Sequence, residues 1–352
     1  MVTDMKFILN RLIDGKDLEP DLAEQAMELI MSGNATPAQI GAFLVLLRQK
    51  GENFEEIAAF AKIMRQHCSR INPKYDKVLV DTCGTGGDKV KTFNISTLAA
   101  FIVAGSDINV AKHGNRSVTS KCGSADLLEG FGVNINADPK IVEKCIENGI
   151  GFMFAPKFHP AMKYAIGPRK EIGLRTVFNI LGPLTNPANA NSQLLGVFDP
   201  NITEKMANAL KSLGTNFAYI VHGDPGLDEI STLGKTKISE LNNDIVKTYF
   251  ISPKDFSIPM AKPEDIQGGL LDENLEIAIK ILNGESSKKT DIVLLNSAVG
   301  IVLGQKAGTI NEGLEVAKES VSSGNAYKKL KELIKNSGGS LEKIEKMEEQ
   351  FL

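Results

Sequence analysis

Glycines, hydroxyls and carboxylates cluster along this chain in an order that suits phosphate chemistry. The first cluster is Gly84-Thr85-Gly86-Gly87-Asp88, followed by Thr92, Asn94, Ser96 and Thr97. Glycine lacks the Cβ that keeps an anion away from backbone N–H groups, so such a turn can cradle a phosphate or diphosphate. Asn94, Ser96 and Thr97 open an apolar run, Leu98 to Ala104, that reads as a helix, so its polar caps and first N–H groups face the same turn. The turn is neither a P-loop, which needs Gly-Lys-Ser/Thr, nor a dinucleotide fingerprint, whose glycines stand at other spacings. A plain strand-to-helix connection is the duller reading of any single glycine-rich turn.

Further clusters follow. Lys112, Arg116 and Lys121 supply cations that offset phosphate charge, with Ser117, Ser120 and Ser124 nearby. The alternative for them, above all for Lys121, is a solvated basic face. His113 can stack on or hydrogen-bond to an aromatic ligand, and Asn115 offers a donor and an acceptor without charge. Asp228 and Glu229 are adjacent carboxylates. Mg²⁺ prefers hard oxygen ligands and commonly combines carboxylates with substrate phosphate oxygens, so this pair points to a metal-bridged diphosphate. Two solvated acids on a turn are its commoner fate. Arg169 follows Gly167-Pro168 and heads a helical stretch leading into Arg175–Pro187, whose rigid turns suit a hinge or a wall between domains. It can pair a substrate carboxylate or simply lie on a helix surface.

These residues need a scaffold that brings them together. From Lys77 onward, apolar strands alternate with helical runs, which argues for a mostly parallel sheet. The expected strands are Val78–Val80, Ile108–Ala111, Gly151–Ala155, Gln193–Phe198 and Phe217–Val221; Thr236–Leu241 and Ile245–Phe250 flank Asn242-Asn243-Asp244 as an antiparallel edge hairpin. The polar clusters follow strands one, two, three and five, where open α/β sheets bind ligands. Before Lys77 the chain reads as entirely helical, with Thr36-Pro37-x-Gln39 and Asn53-x-x-Glu56 as capping signals. The helix after Thr36 carries Ile40, Phe43, Leu44, Val45, Leu46 and Leu47 and has almost no polar face. Such a helix must be covered on both sides, by a second subunit ahead of the rest of its own chain.

Composition narrows the class. The 352 residues carry a net charge of −3, with no bulk electrostatic reason to bind nucleic acid or a membrane surface. The 4 cysteines and 4 histidines are scattered and argue no zinc site. No signal peptide and no uncharged run of spanning length is visible, so a cytoplasmic protein with reduced thiols is expected.

The ordered motifs Gly84–Asp88, Asn94–Thr97, Lys112–Arg116, Ser120–Ser124, Arg175–Pro187 and Val221–Ser231 resemble those of the anthranilate phosphoribosyltransferases, over essentially the whole chain. The resemblance implies a small all-helical domain plus a large α/β domain with a mostly parallel central sheet flanked by helices. It implies a helical domain of residues 1–72, rejoined by a segment near 159–187, and an α/β domain of residues 73–158 and 188–352. It further implies a homodimer formed through the helical part. The activity implied is transfer of the phosphoribosyl group of 5-phosphoribosyl 1-diphosphate to the amine of anthranilate, releasing diphosphate, in tryptophan biosynthesis. By this resemblance Gly84, Thr85, Gly86, Gly87, Asp88, Thr92, Asn94, Ser96, Thr97, Lys112 and Ser124 bind the phosphoribosyl diphosphate. Ser96, Asp228 and Glu229 bind Mg²⁺; Gly84, His113, Asn115 and Arg169 line the anthranilate site, with Arg169 facing the carboxylate. One departure is Lys89, where many members have glycine; it either clips the diphosphate or projects into solvent. The related pyrimidine nucleoside phosphorylases, and relatives that bind nucleic acid without catalysis, are the competing readings. The first match poorly at Lys112–Arg116, and the second should lack the acidic pair.

Overall fold

The computed structural model describes residues 4–117 and 121–351, so the expected Ser120 contribution lies outside the described residues. Four helices open the chain: α1 (Met5–Ile13), α2 (Pro20–Met31), α3 (Pro37–Lys50) and α4 (Phe54–Gln66). Thr36 and Asn53 close capping boxes with Gln39 and Glu56, which satisfies orphan N–H groups at the starts of α3 and α4. On α3, Ile40, Phe43, Leu44 and Leu47 are buried within the chain itself, whereas Val45 remains 40% exposed. The chain thus covers most of this helix and leaves a narrow apolar stripe.

A seven-stranded sheet follows: β1 (Leu79–Gly84), β2 (Asn109–Gly114), β3 (Ile150–Phe154), β4 (Ser192–Gly196), β5 (Phe217–Gly223), β6 (Thr236–Asn242) and β7 (Ile245–Ile251), in the order β3-β2-β1-β4-β5-β6-β7. Strands β1 to β5 pair in parallel, and β6 and β7 are antiparallel. The β6–β7 turn places Asn243 at φ 52°, a conformation asparagine tolerates. Strand β1 runs past the apolar Val78–Val80 through Asp81, Thr82 and Cys83, which stay in register with β4. The polar residues are accepted there because they are bonded. Asp81 is fully buried and accepts hydrogen bonds from Asn186 Nδ2 (2.8 Å) and the His113 amide (3.3 Å).

Helices cover both faces. On one lie α5 (Ile95–Gly105), α6 (Ser124–Gly130) and, after the hairpin, α12 (Leu271–Leu282), α13 (Lys288–Leu303), α14 (Ile310–Ser322), α15 (Asn325–Asn336) and α16 (Glu342–Phe351), whereas α7 (Pro139–Glu147) packs through Val142 and Ile146 on the other, beside Leu79, Ala111 and Met153. Between β3 and β4 come three short helices, α8 (Ala155–Phe158), α9 (Lys163–Ile172) and α10 (Phe178–Leu181), and α11 (Thr203–Ser212) follows β4. Helix α9 packs on α2 and α3, and α4 packs on α11. One apolar cluster accordingly runs from α1–α4 through Val177–Leu184 to Leu195, Met206 and Ile220 of the large layer. Arg169 lies in the last turn of α9, not at the head of a helical stretch, because Pro168 is accommodated inside the helix and left-handed Gly173 ends it.

Candidate active site

Strand β1 lies between β2 and β4, so the chain leaves it in one direction for β2 and β3 and returns on the other side with β4. Open sheets bind ligands at the carboxyl ends flanking such a reversal. A cleft with a cavity volume of about 350 Å³ opens there, and every residue that the family resemblance assigns to the site lines it.

One wall is the glycine turn. Thr85 ties it to β4, its amide donating to Gly196 O (2.9 Å) and its Oγ1 accepting from the Phe198 amide (3.1 Å). Gly86 and Gly87 have φ of 71° and 88°, which a side chain would strain. The Gly86 amide donates to Asp228 Oδ2 (2.8 Å). Among the described residues the amides of Gly87 and Asp88 donate to no other group of the chain. The Asp88 carboxylate is turned back on the loop, accepting from the Lys91 amide (3.2 Å), the Thr92 amide (2.8 Å) and Thr92 Oγ1 (2.7 Å). Asp88 therefore shapes the turn with its carboxylate and offers a ligand its amide. Lys89 is exposed and does not line the cleft; its amide donates to Gly226 O (3.2 Å), and its aliphatic stem lies against Gly226.

The acidic pair follows the turn after β5. Glu229 accepts from the Ser96 amide (3.1 Å) at the start of α5. Lys112 is buried beneath it, donating to Thr82 O (2.5 Å) and Ser96 Oγ (3.4 Å). Burial pushes the Asp228 carboxyl up to about 6, assisted by the neighbouring charge of Asp88. Glu229 is raised well above the usual range by burial and by Asp228, with Lys112 opposing, while burial lowers Lys112. Asn94 does not cap α5 with its side chain; Nδ2 donates to Cys122 O (3.1 Å), and the buried Oδ1 has no partner. Thr97 and Ser124 complete this end.

The opposite wall comes from β2 and the segment around α9 and α10. His113 is buried with its Nε2 unpartnered, and its ring centroid lies 5.0 Å from that of His159, whose Nε2 is likewise unpartnered. Burial pushes His113 down to about 3, with His159 adding to the effect, and pushes His159 down to about 4. Both imidazoles are neutral. Arg169 sits over the Phe178 ring at 5.2 Å, and burial lowers its pKa. Asn115 lies beside them. Arg116 lines the cleft as well, but its guanidinium is held by Asp126 (2.8 Å) and Glu129 (2.9 Å), so its charge is already matched. The sequence reading missed Phe178, Asn179 and Pro183 as lining residues; they were visible only as parts of a turn-rich run with nothing titratable in it.

The chain is similar to known proteins over most of its length. Residues 76–327 match the glycosyl transferase family a/b domain, and residues 6–68 match its helical bundle domain. The anthranilate phosphoribosyltransferase of Acetivibrio thermocellus is 52% identical over 94% of this chain and 96% of its own length; that of Desulfosudis oleivorans is 52% identical over 93% and 96%. Among solved structures, anthranilate phosphoribosyltransferase from Thermus thermophilus superposes with a TM-score of 0.89 at 39% identity, covering 94% of this chain and 99% of that one. The Saccharomyces cerevisiae enzyme in complex with PRPP and Mg gives 0.86 at 28% identity, covering 96% and 99%.

Proposed function

The chain belongs to the anthranilate phosphoribosyltransferases, and from that premise we propose how its cleft divides the two substrates. The enzyme transfers the phosphoribosyl group of 5-phosphoribosyl 1-diphosphate to the amino group of anthranilate, in tryptophan biosynthesis. We assign the phosphoribosyl diphosphate to the turn Gly84–Asp88 with Thr92, Asn94, Ser96, Thr97, Lys112 and Ser124. Anthranilate is assigned to the wall of His113, Asn115 and Arg169, next to Gly84.

Ser96, Asp228 and Glu229 would hold Mg²⁺. The fit is chemical: the donors are all hard oxygens, and the buried Glu229 and half-buried Asp228, both with raised proton affinity, lack a full counter-charge. Among the described residues no three His, Cys, Asp or Glu side chains form a ready-made metal site, which suits an ion shared with substrate oxygens. When bound, Mg²⁺ supplies neutralisation of charge on the leaving diphosphate. The remaining work belongs to the chain. Backbone amides of the turn meet the charge that develops as the anomeric C–O bond breaks. Lys112 adds a fixed cation from below. Arg169 can take the anthranilate carboxylate and so aim its amine at the anomeric carbon, where the C–N bond forms and a proton departs. Neutral His113 leaves that amine unprotonated and nucleophilic. No protein nucleophile is required.

We also assign residues 1–72 with 159–187 to one domain and the remainder to the other. A homodimer through the helical part is favoured by exposed Phe7 (58%), Val45 (40%) and Ile166 (57%) on α1, α3 and α9, which pack together through α3.

The observation that carries the reading is the 2.8 Å bond from the Gly86 amide to Asp228, which puts cradle and acidic pair in one cleft. Loss of anthranilate fluorescence should require both 5-phosphoribosyl 1-diphosphate and Mg²⁺. Phosphorolysis of thymidine or uridine without anthranilate turnover would overturn it.

A further inference from the structure

We propose that Arg175 is a positioning residue for the diphosphate cradle: it holds the Gly87 carbonyl behind the turn and thereby directs the Asp88 amide into the cleft. Arg175 lies in the segment joining α9 to α10 and does not itself line the cleft, whereas Gly87 and Asp88 do. Its Nη2 donates to Gly87 O at 3.3 Å. In a planar trans peptide the carbonyl of residue 87 and the N–H of residue 88 point in opposite directions. Pinning that carbonyl on the outer side therefore fixes the amide on the inner side, where no other group of the described chain uses it.

Two further contacts make Arg175 a rigid strut. Its guanidinium stacks on the Phe198 ring at 4.3 Å, just beyond β4. Its own carbonyl accepts a hydrogen bond from Arg48 Nη1, in the last turn of α3. The contact also explains Gly87 beyond its φ of 88°, since a Cβ there would overlap Arg175 Nη2. The helical layer is thus linked through one arginine to the orientation of a single peptide in the turn.

This inference rests on the assignment of the diphosphate to Gly84–Asp88. Arg175→Met keeps an apolar stem and removes the donor. It should raise KM for 5-phosphoribosyl 1-diphosphate about tenfold and weaken binding of inorganic diphosphate with Mg²⁺ by a similar factor, the scale of one charge-assisted hydrogen bond. KM for anthranilate should stay within about twofold, and Arg175→Lys, which retains a donor, should recover part of the loss. Unchanged diphosphate binding in Arg175→Met, or a parallel rise of both KM values without recovery in the lysine variant, would overturn the proposal. Arg175→Gln carries the same comparison if the methionine variant does not fold: about threefold weaker diphosphate binding supports it, and unchanged binding refutes it. Asp88→Ala separates this inference from its premise. If Asp88→Ala weakens diphosphate binding and Arg175→Met does not, only the strut is wrong; if neither does, the assignment of the turn falls too.

Discussion

The two walls of the cleft solve opposite electrostatic problems. The sheet wall gathers charge: Asp228 and Glu229 are brought close together, with Asp88 nearby and the buried Lys112 beneath, and each carboxylate is tied to a backbone amide. The hinge wall removes charge: His113 and His159 are held neutral, and Phe178 and Pro183 present apolar surface. A diphosphate with a cation needs the first environment, and an aromatic amine that must stay unprotonated needs the second. Specificity then comes from their being adjacent, because neither wall alone distinguishes this reaction from binding of a phosphate or of an aromatic acid.

The sharpest way to break the contrast is to neutralise the charged wall. Asp228→Asn combined with Glu229→Gln should lower turnover by about a thousandfold, in the range seen when a developing charge loses its preorganised partners. The fold should survive, because both replacements keep a carbonyl to accept from the Gly86 and Ser96 amides. Fluorescence turnover at saturating Mg²⁺ measures the loss, and near-normal activity would remove the metal assignment.

The neutral wall is tested by acid. Folded-state values of about 3 for His113 and about 4 for His159 lie below the ordinary imidazole value, so the unfolded chain takes up protons first as pH falls. The stability these groups provide is present above pH ~6.5 and is lost as pH drops towards those values; between pH 7 and pH 5 the loss is about 2 kcal/mol for each imidazole. Asp81 and Asp228 work in the opposite sense, since burial raises each to about 6 and the folded state binds their protons more tightly; Glu229, raised well above its ordinary range, acts the same way. The gain over the same window is about 1 kcal/mol for each aspartate. The carboxyls therefore offset the imidazoles in the parent chain, and the test is a difference: the change in urea stability between the two pH values should differ by about 2 kcal/mol between His159→Gln and the parent. An identical pH dependence in the two proteins would mean that His159 is not held neutral.

Arg169 is the one cation on the neutral wall whose charge no carboxylate meets among the described salt bridges. Arg169→Met should raise KM for anthranilate about tenfold, the scale of a lost charge-assisted hydrogen bond, and leave KM for 5-phosphoribosyl 1-diphosphate nearly unchanged. Equal effects on both would dissolve the division of the cleft into two walls.

The two walls were also unequally legible in the sequence. The charged wall is built from local signals: glycines at a strand end, polar residues opening a helix, and adjacent acids after another strand. Residue type and position relative to a strand are enough to find such features. The neutral wall is not local. Phe178 and Pro183 carry nothing titratable, and α8 and α10 are each too short for any helical period to emerge. Arg169 could be named but not placed, since Pro168 suggested a boundary where the helix in fact continues. The buried network of Asp81, Asn186 and Gln193 was invisible for another reason: it depends on the β1–β4 register and on how the hinge folds back, which no short window contains. Of the cations expected to offset phosphate charge, Arg116 lines the cleft but is paired with Asp126 and Glu129, partners that reach it only once α6 is formed.

Lys89 gives the finest test, because it joins the charged wall from outside. Its amide donates to Gly226 O and its stem lies on Gly226, so the glycine turn is laced to the turn that presents Asp228 and Glu229. Lys89→Gly preserves the backbone bond but removes the stem and adds freedom to the unfolded chain, which should cost about 0.5–1 kcal/mol of stability. The cradle would become looser without losing any donor, so KM for 5-phosphoribosyl 1-diphosphate should rise by no more than about threefold, with kcat little changed. A loss of tenfold or more would instead show that the ammonium reaches the diphosphate, and the charged wall would then extend beyond the cleft that the other residues define.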